Sequence, residues 1–266
     1  MTPNNRGQIT RSAADIYEEF FIPALFQAWA ARVAEAAHLQ PGQRVLDVAC
    51  GTGVLAREAA DRVGPGGSVV GLDVNEGMLA VAEAKAPQIE WWHGQAEALP
   101  FDDASFDAVV SQFGLMFFED RVQAIREMLR VLKPGGTLAI AVWDTLDNTP
   151  GYATMVNLLA QLFGDRIADG LRSPYILGDL AALRSLLAEA GVPHAAIDTQ
   201  MGTARFPSIA SWVYTDIKGW VLSDALTDAD ITRLLAEAQG ALAPFVTDGG
   251  SVAFAAPAHI ITVEAG

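Results

Sequence analysis

Short apolar runs alternate with helix-like patterns through the middle of the chain, where the core of the fold is expected. The strand-like runs fall at 45–49, 68–73, 88–93, 106–111 and 136–143. The patterns with helical spacing fall between them, near 53–63, 76–86 and 121–132. Short buried strands separated by helices require crossover connections, which favour a largely parallel sheet. The pattern therefore predicts an α/β fold in which helices cover both faces of a mostly parallel sheet.

Two later patterns extend this sheet to seven strands. Alternating apolar residues predict a sixth strand over 195–201, and a last strand is predicted near 252–263. Pro257 interrupts the last pattern and indicates a bulge or an edge position, because proline cannot donate a hydrogen bond to the ladder. The chain is thus expected to form a Rossmann-like, mostly parallel seven-stranded sheet.

The sequence predicts a single domain, 1–266, that begins with an N-terminal helical cap over residues 1–40. Helical spacing runs through residues 12–38 in two pieces that meet at Pro23, which ends the first helix or opens the second. Residues 41–145 follow as the core that is expected to hold a cofactor.

Two stretches interrupt the alternation of strands and helices. Residues 146–178 are predicted to be a loop-rich insertion, and residues 204–248 a helical insertion before the last strand. One apolar face of the second insertion contains Ile209, Trp212, Val213, Ile217, Trp220 and Val221. This face either packs on the core or forms a lid over a substrate pocket, since insertions at the carboxyl ends of parallel strands commonly build such pockets.

Charge and cysteine content narrow the classes of partner. The chain carries 32 acidic and 17 basic residues, for a net charge of −15, and such a surface repels phosphate backbones and anionic membranes. We therefore expect no nucleic-acid or membrane partner. No basic segment leads into an apolar one near the start, and no apolar run is long enough to span a bilayer, so a cytoplasmic location is expected. A homodimer is one arrangement that the sequence allows.

A glycine loop follows the first predicted strand and satisfies G-x-G-x-x-A from Gly51 to Ala56. Such a loop lets a ligand approach the backbone closely and presents the amide groups of the next helix. Asp73, 20 residues after Gly53, ends the second strand and can accept hydrogen bonds from two ribose hydroxyls. These features serve NAD and S-adenosylmethionine equally well.

Asp47 distinguishes the two nucleotides by charge. A dinucleotide would place a pyrophosphate near this carboxylate, at a Coulomb cost of about 1 kcal/mol or more. S-adenosylmethionine instead carries a sulfonium and an ammonium group, and both cations suit an acid at the end of the first strand. The alternative role for Asp47 is to hold its own glycine loop by accepting backbone amides.

Residues 45–53 resemble the first motif of class I S-adenosylmethionine-dependent methyltransferases, in the ubiquinone and menaquinone biosynthesis C-methyltransferase-like (methyltransferase type 11) group. Four later segments resemble the same family in the same order, at 71–79, 94–101, 106–111 and 132–136. The resemblance covers about residues 40–145. It implies S-adenosylmethionine as the cofactor and a small-molecule methyl acceptor as the partner.

The resemblance also implies a set of cofactor-binding residues. Asp73 is expected to bind the ribose hydroxyls, Met78 to form an apolar wall for the adenine, and Gln95 to replace the aspartate that is common at the adenine amino group. Tyr17 is expected either to contact the methionine end of the cofactor or simply to pack. The complete set is Tyr17, Asp47, Ala49, Gly51, Gly53, Asp73, Val74, Met78, Gln95, Ala96, Glu97 and Ser111.

The implied reaction is methyl transfer by in-line displacement from the sulfonium to an oxygen, nitrogen or carbon atom. The catalytic residues stay unassigned, because the family often shows a histidine pair after the fourth strand and this chain has Gln112 and Phe113 there. Asp144 or Tyr152 could act as a base if one is needed. The aromatic side chains near this point, which include Phe117 and Trp143, favour an apolar or aromatic acceptor.

Two other functions share parts of these patterns. An NAD(P)-dependent oxidoreductase would use the same glycine loop, and an S-adenosylmethionine-binding protein without methyl transfer would use the same cofactor site. A metal site is not expected, since none of His38, His93, His194 and His259 has the spacing of metal ligands. Cys50 has no histidine nearby in the sequence and is expected to pack rather than react.

Overall fold

The structure is a computed structural model that describes residues 11–219, 222 and 225–266. Its strands are β1 Arg44–Val48, β2 Ser68–Asp73, β3 Glu90–His93, β4 Phe106–Gln112, β5 Leu132–Trp143, β6 Ala196–Gln200, β7 Thr203–Phe206, β8 Val252–Ala255 and β9 Ala258–Glu264. Its α-helices are α1 Arg11–Ile16, α2 Gln27–Ala36, α3 Val54–Val63, α4 Glu76–Lys85, α5 Arg121–Arg130, α6 Pro150–Phe163, α7 Asp165–Arg172, α8 Leu180–Glu189, α9 Ile209–Lys218 and α10 Asp228–Ala241.

Seven of the strands form one central sheet in the order β3-β2-β1-β4-β5-β9-β6. The first five strands run parallel, and β9 lies antiparallel between β5 and β6. The prediction of a Rossmann-like, mostly parallel seven-stranded sheet is confirmed. Strand order reverses between β1 and β4, and the loops that leave these two strands diverge at their carboxyl ends. Such a switch point is where α/β proteins open a binding crevice.

The middle of the sheet is fully buried, which explains the near-continuous apolar runs in the sequence. Val45, Leu46 and Val48 of β1 are all inaccessible to solvent, and so are Val109 and Val110 of β4. Burial on both faces of these strands makes a rigid platform from which the adjoining loops project. Among the described residues, no helix is long and apolar enough to cross a membrane.

The N-terminal helices form one continuous run, so the expected division at Pro23 is wrong. Between α1 and α2 the chain forms a π-helix over Tyr17–Phe26, and Pro23 lies inside it. The amide of Gln27 donates to the carbonyl of Ile22, five residues earlier. A π-helical turn has a wider hydrogen-bonding pattern, which accommodates the missing proline N–H without ending the helix.

The predicted loop-rich insertion over 146–178 is also wrong, because most of it is helical. Helix α6 begins at Pro150 and buries Tyr152, Met155, Val156 and Leu159. These four residues follow the i, i+3, i+4, i+7 spacing of an amphipathic helix. The two tyrosines and scattered glycines of this segment obscured a helical pattern that the sequence does contain.

The last predicted strand is two strands that belong to different sheets. Strand β8 pairs with β7 in a separate two-stranded sheet, whereas β9 enters the central sheet. Ala256 and Pro257 separate them, and the missing amide of Pro257 explains why the ladder stops there. The segment 204–248 contains α9 and α10 as predicted, but it starts within β7 rather than in a helix. Trp220 and Val221 of its predicted apolar face lie outside the described residues.

Candidate functional site

Three connected spaces lie along the carboxyl edge of the central strands. We call them the outer cleft (about 1370 Å³), the loop cleft beside the glycine loop (about 830 Å³) and the aromatic cavity (about 480 Å³). Asp73 and Val74 line both the outer and the loop cleft, and Tyr17 and Phe113 line both the loop cleft and the aromatic cavity. Phe117 lines all three. A single elongated ligand or two ligands in contact can therefore occupy them in sequence.

Most of the predicted cofactor-binding residues meet at the two clefts. The residues that line one or both are Tyr17, Asp47, Ala49, Gly51, Asp73, Val74, Met78, Gln95, Ala96 and Glu97. Gly53 and Ser111 do not line them. Ser111 is completely buried in β4, and Gly53 is the N-cap residue just before α3, where an added Cβ would clash with the ring of Trp91. Whether any of these residues binds a cofactor stays a prediction.

Three of the five residues from 49 to 53, around the glycine loop, have an unusual backbone conformation. Ala49, Gly51 and Gly53 all have positive φ, at 57°, 55° and 85°. Glycine adopts such angles readily, but alanine does so only at a cost, and such strain clusters at binding sites. Phe113, at the end of the neighbouring strand β4, also has a φ of 57°. Ala49 and Phe113 both line the loop cleft.

Asp73 holds the glycine loop against the second strand. One carboxylate oxygen accepts a hydrogen bond of 2.8 Å from the Gly51 amide, and the other accepts one of 2.8 Å from the Asn75 amide. The side chain is largely buried, at 8% exposure. Burial raises the pKa of Asp73 while these two amide bonds oppose the rise. Each oxygen keeps a lone pair for a ligand hydroxyl, so loop anchoring and the predicted ribose contact are compatible.

Asp47 is the most exceptional group of the loop cleft. Its side chain is 1% exposed, and neither carboxylate oxygen makes a hydrogen bond of good geometry with the described residues. Burial raises its pKa well above the usual value, and the nearby Asp73 carboxylate adds to the rise. The Ala56 amide and the Arg57 guanidinium oppose it. The alternative role for Asp47, as a hydrogen-bonded anchor of its own loop, has only the Ala56 amide to support it and stays a prediction.

Other polar atoms of the loop cleft also lack partners among the described residues. Thr52 Oγ1 and Gln112 Oε1 are buried without a hydrogen bond, and both residues line the cleft beside Asp47. No lysine, arginine or histidine is among its described lining residues. Burial beside Asp73 and Asp47 raises the pKa of the Cys50 thiol well above its usual range, so the thiol stays protonated. The cleft is thus rich in acceptors and suits a cationic ligand.

The outer cleft combines an apolar edge with amide and carboxylate groups. Val74 is 40% exposed at its rim, and Gln95 and Ala96 line it. Glu97 accepts a hydrogen bond of 2.9 Å from the Glu119 amide, which holds the chain just before α5. Glu97 therefore supports the wall of this cleft through a backbone contact, in addition to lining it.

An ion pair fixes the N-terminal π-helix over the loop cleft. Arg57 on α3 donates a hydrogen bond of 2.9 Å to the Glu18 carboxylate and one of 2.6 Å to the Thr52 carbonyl. Tyr17, the neighbour of Glu18, stacks on Phe26 with ring centres 5.2 Å apart. Residues of the π-helix, Tyr17 among them, thereby line one side of both the loop cleft and the aromatic cavity.

Flat rings form most of the aromatic cavity. Phe113 and Trp143 stack in parallel with ring centres 3.7 Å apart, and Phe26 packs against both. The left-handed backbone conformation of Phe113 directs its ring toward Trp143, at the end of β5. The complete lining is Tyr17, Phe21, Leu25, Phe26, Phe113, Phe117, Trp143, Tyr152, Leu171, Pro174, Tyr175 and Asp216.

The candidate bases from the sequence have different positions. Asp144 accepts hydrogen bonds from the Thr145 amide and the Asn148 side chain, lies 3.4 Å from His259, and does not line the aromatic cavity. Tyr152 does line it, and its hydroxyl contacts Asp216. Burial raises the pKa of Tyr152 well above its usual value.

Asp216 is the site residue that the sequence analysis missed. It lies on α9, four residues after Trp212 and three after Val213, so it shares the face described there as apolar. An acid in the middle of an otherwise apolar helix face is the signal that could have identified it. Its partners lie on α6 and on the chain after α7, and only the tertiary structure brings them together.

Comparisons with known proteins agree with this architecture. The model of the ubiE/COQ5 methyltransferase family matches residues 12–167. Demethylmenaquinone methyltransferase of Listeria welshimeri is 42% identical over 134 residues, which cover 48% of this chain and 56% of that protein. The Renibacterium salmoninarum protein of the same name is 49% identical over 113 residues, covering 42% of this chain and 46% of its own. The matched stretch thus spans about half the length of these relatives.

A solved structure extends the likeness to the whole fold. Phosphoethanolamine N-methyltransferase 2 of Haemonchus contortus, solved in complex with phosphomonomethylethanolamine and S-adenosylhomocysteine, superposes with a TM-score of 0.63. The superposition covers 99% of this chain and 59% of that one, at 20% sequence identity. At this identity the likeness concerns the fold alone.

Proposed function

Because the chain belongs to the ubiE/COQ5 methyltransferase family, we propose that it transfers the methyl group of S-adenosylmethionine to a small, apolar or aromatic acceptor. The observation that carries the proposal is the buried Asp47 carboxylate, whose oxygens make no hydrogen bond of good geometry with the described residues. The cofactor supplies the missing positive charge, since its sulfonium and ammonium groups are cations. A pyrophosphate would add negative charge at the same place and cost about 1 kcal/mol or more, which disfavours an NAD(P)-dependent oxidoreductase.

The protein groups divide the work of holding this cofactor. Asp73 accepts from the ribose hydroxyls, and the outer cleft around Gln95 takes the adenine. Asp47 and Gln112 attract the cationic methionine end within the loop cleft. Tyr17 and Phe113, which line both the loop cleft and the aromatic cavity, then border the point where the donor and the acceptor meet. When bound, the cofactor supplies an activated methyl group, so the protein mainly has to align it with the acceptor and exclude water.

The acceptor fits the aromatic cavity in this proposal. The relatives are named for demethylmenaquinone, but part of the cavity wall, including Leu171, Tyr175 and Asp216, lies beyond the residues that match the family model. The acceptor is therefore proposed only as apolar or aromatic, and the segment 204–248 as its lid. The strong negative charge of −15 supports a cytoplasmic protein that binds no nucleic acid. A homodimer stays a prediction that size-exclusion chromatography with light scattering can test.

Calorimetry with S-adenosylmethionine, S-adenosylhomocysteine and NADH tests the cofactor directly. We expect binding of the first two and none of NADH, whereas binding of NADH alone would overturn the proposal. Incubation with methyl-labelled S-adenosylmethionine and reduced demethylmenaquinone or simple naphthols then tests transfer. Labelled product together with S-adenosylhomocysteine supports a methyltransferase. Tight cofactor binding without product from any aromatic acceptor would favour a binding protein without methyl transfer.

A further inference from the structure

The aromatic cavity contains one ionisable acid, and the acid has an unused oxygen. Asp216 is completely buried, and its Oδ1 atom accepts a hydrogen bond of 3.2 Å from the Tyr152 hydroxyl. Its Oδ2 atom makes no hydrogen bond of good geometry with the described residues, although the nearby Trp212 indole helps to lower the Asp216 pKa. A buried carboxyl oxygen without a partner costs folding free energy. A ligand that donates a hydrogen bond in the cavity would remove this cost.

No counter-ion faces Asp216 among the described residues that line the aromatic cavity. The titratable groups that face it are Tyr152 on α6 and Tyr175 on the chain after α7, together with Tyr17 across the cavity. No lysine, arginine or histidine is among the described residues that line this space. Burial raises the pKa of Asp216 well above its usual value, and the contacts of Tyr152 and Trp212 partly oppose the rise. Such a carboxylate is a stronger base than an exposed one.

We propose that Asp216 is a catalytic residue that accepts the proton of a hydroxyl group on the aromatic acceptor, and that Tyr152 is the residue that positions it. The inference rests on the proposed function. It assigns the acceptance of the proton to a residue outside the segments that carry the family motifs. Asp216 belongs to the inserted segment 204–248, so the chemistry of the acceptor depends on a part of the chain outside the family match.

The step balances in atoms and charge. The acceptor oxygen forms a bond to the methyl carbon while the carbon–sulfur bond breaks, and the electron pair of that bond stays on sulfur. The sulfonium becomes a neutral thioether, and the hydroxyl proton passes to Oδ2 of Asp216. One positive and one negative charge thus disappear together, which an apolar cavity favours.

The contact with Tyr152 favours a hydroxyl over an amine. Asp216 already accepts a hydrogen bond from one phenol at 3.2 Å, and Oδ2 offers the same bond to a second. A protonated amine would need a fully charged carboxylate and would bury two ions, at a desolvation cost that the cavity does not offset with further polar groups. A neutral hydroxyl brings no ion into the cavity.

Binding of matched probes tests the assignment without requiring turnover. The probes are 1-naphthol, naphthalene and 1-(aminomethyl)naphthalene, whose amine is protonated at neutral pH, and quenching of tryptophan fluorescence reports occupancy because Trp143 lines the cavity. We expect the wild-type protein to bind 1-naphthol about tenfold more tightly than naphthalene, and Asp216→Val to abolish this preference. Asp228→Asn, which replaces a fully exposed carboxylate of the same segment, should keep it. Equal affinity for the two probes in the wild-type protein, or preference for the amine, would overturn the proposal.

A second measurement separates positioning from packing. The preference for 1-naphthol should grow as the pH rises through the pKa of Asp216, because the carboxylate accepts more strongly than the acid. Tyr152→Phe removes a bond that lowers this pKa, so the midpoint should move to higher pH while naphthalene affinity stays constant. An unmoved midpoint in a folded variant contradicts the role of Tyr152.

Cofactor binding distinguishes failure of this inference from failure of the proposed function. Asp216→Val and Tyr152→Phe should bind S-adenosylmethionine as the wild-type protein does, since neither residue lines the loop or outer cleft. If the wild-type protein does not bind S-adenosylmethionine, the proposed function fails. If it binds the cofactor but shows no preference for the hydroxyl, only the assignment of Asp216 is wrong.

Discussion

Strand β1, just before the glycine loop, and helix α9 each bury a carboxylate with unused hydrogen-bonding capacity, and they do so in different ways. Asp47 is placed by local sequence, at the end of β1, and neither of its oxygens makes a hydrogen bond of good geometry with the described residues. Asp216 is placed by tertiary contacts, and one of its oxygens is bound by Tyr152 from another helix. Asp47 lies in the loop cleft, which is rich in hydrogen-bond acceptors, and Asp216 lies in the aromatic cavity.

This difference distinguishes the part of the site that is proposed to hold the methyl donor from the part that is proposed to hold the methyl acceptor. A cofactor shared by a whole family needs a fixed loop geometry, which residues 45–53 supply within a short stretch of chain. An acceptor that varies between enzymes needs a wall that can change independently, and inserted segments supply it without disturbing the sheet. The comparison predicts that substitutions in the two regions affect different measurements.

The largest expected effect is that of Trp212→Ala in the inserted segment. Trp212 is completely buried and packs on Tyr152, Phe206 and Phe254, so we expect a loss of about 3–5 kcal/mol in the free energy of unfolding. Trp212 does not line the aromatic cavity. The acceptor KM should nevertheless rise, because the loss of packing around Trp212 would disturb the proposed lid. Thermal denaturation measures the first effect and steady-state kinetics the second.

Tyr214→Ala on the exposed side of the same helix is the matched control. Its ring is 45% exposed, so its removal should change stability by about 0.5 kcal/mol or less. S-adenosylmethionine affinity should stay near the wild-type value in both variants. A large loss of cofactor affinity in Trp212→Ala would contradict the separation of the two regions.

The next largest effect is expected for Asp47→Asn in the glycine loop. Loss of a charge-assisted contact to the cationic methionine end is worth about 1.5–3 kcal/mol, which is roughly a tenfold to hundredfold loss of affinity. Calorimetry with S-adenosylmethionine measures it. Affinity for S-adenosylhomocysteine, which lacks the sulfonium charge, should fall less. Equal losses for both compounds would place the Asp47 contact at the ammonium group rather than at sulfur.

The same substitution should stabilise the protein without ligand in a pH-dependent manner. The pKa of Asp47 is raised by folding, so the folded state holds its proton more tightly than the unfolded state. Below the unfolded pKa of about 3.9 there is no penalty. As the pH rises through the folded pKa the penalty grows to its full value. Asp47→Asn should therefore gain nothing over the wild-type melting temperature in acid, and progressively more as the pH rises from the unfolded pKa toward the folded pKa. A gain independent of pH would contradict the assignment of the penalty to ionisation.

Asp73→Asn is expected to weaken S-adenosylmethionine binding less than Asp47→Asn does, for two separable reasons. The amide can accept only at its oxygen, so one of the bonds to the Gly51 and Asn75 amides is lost along with part of the ribose contact. We expect a loss of about 1–2 kcal/mol in S-adenosylmethionine binding. Calorimetry with adenosine and with methionine, used as fragments of the cofactor, separates the two roles. A loss confined to methionine would exclude the ribose contact.

The two regions also differ in how far sequence could predict them. The sheet follows from apolar periodicity, and Gly51, Gly53 and Asp73 follow from their spacing, and both are local properties of the chain. Most other residues of the two clefts were implied by the resemblance of short local motifs to the methyltransferase family. The helix α6 and the division of β8 from β9 were missed because Tyr152 and Pro257 were interpreted one at a time. Asp216 could not be placed at all, since its contacts with Tyr152 and Tyr175 depend on packing between elements far apart in sequence.

The smallest expected effect concerns the π-helix that borders both regions. Glu18 pairs with Arg57 on α3 at 2.9 Å, and Glu18 is only 10% exposed. Partly exposed ion pairs contribute about 0.2–1 kcal/mol, so Glu18→Gln should barely lower the melting temperature. It should still increase the rates at which S-adenosylmethionine and 1-naphthol dissociate, because Tyr17 beside it lines both the loop cleft and the aromatic cavity. Stopped-flow fluorescence measures both rates. Faster release of the cofactor alone would mean that the π-helix closes the donor end only, and that the inserted segment closes the acceptor end without it.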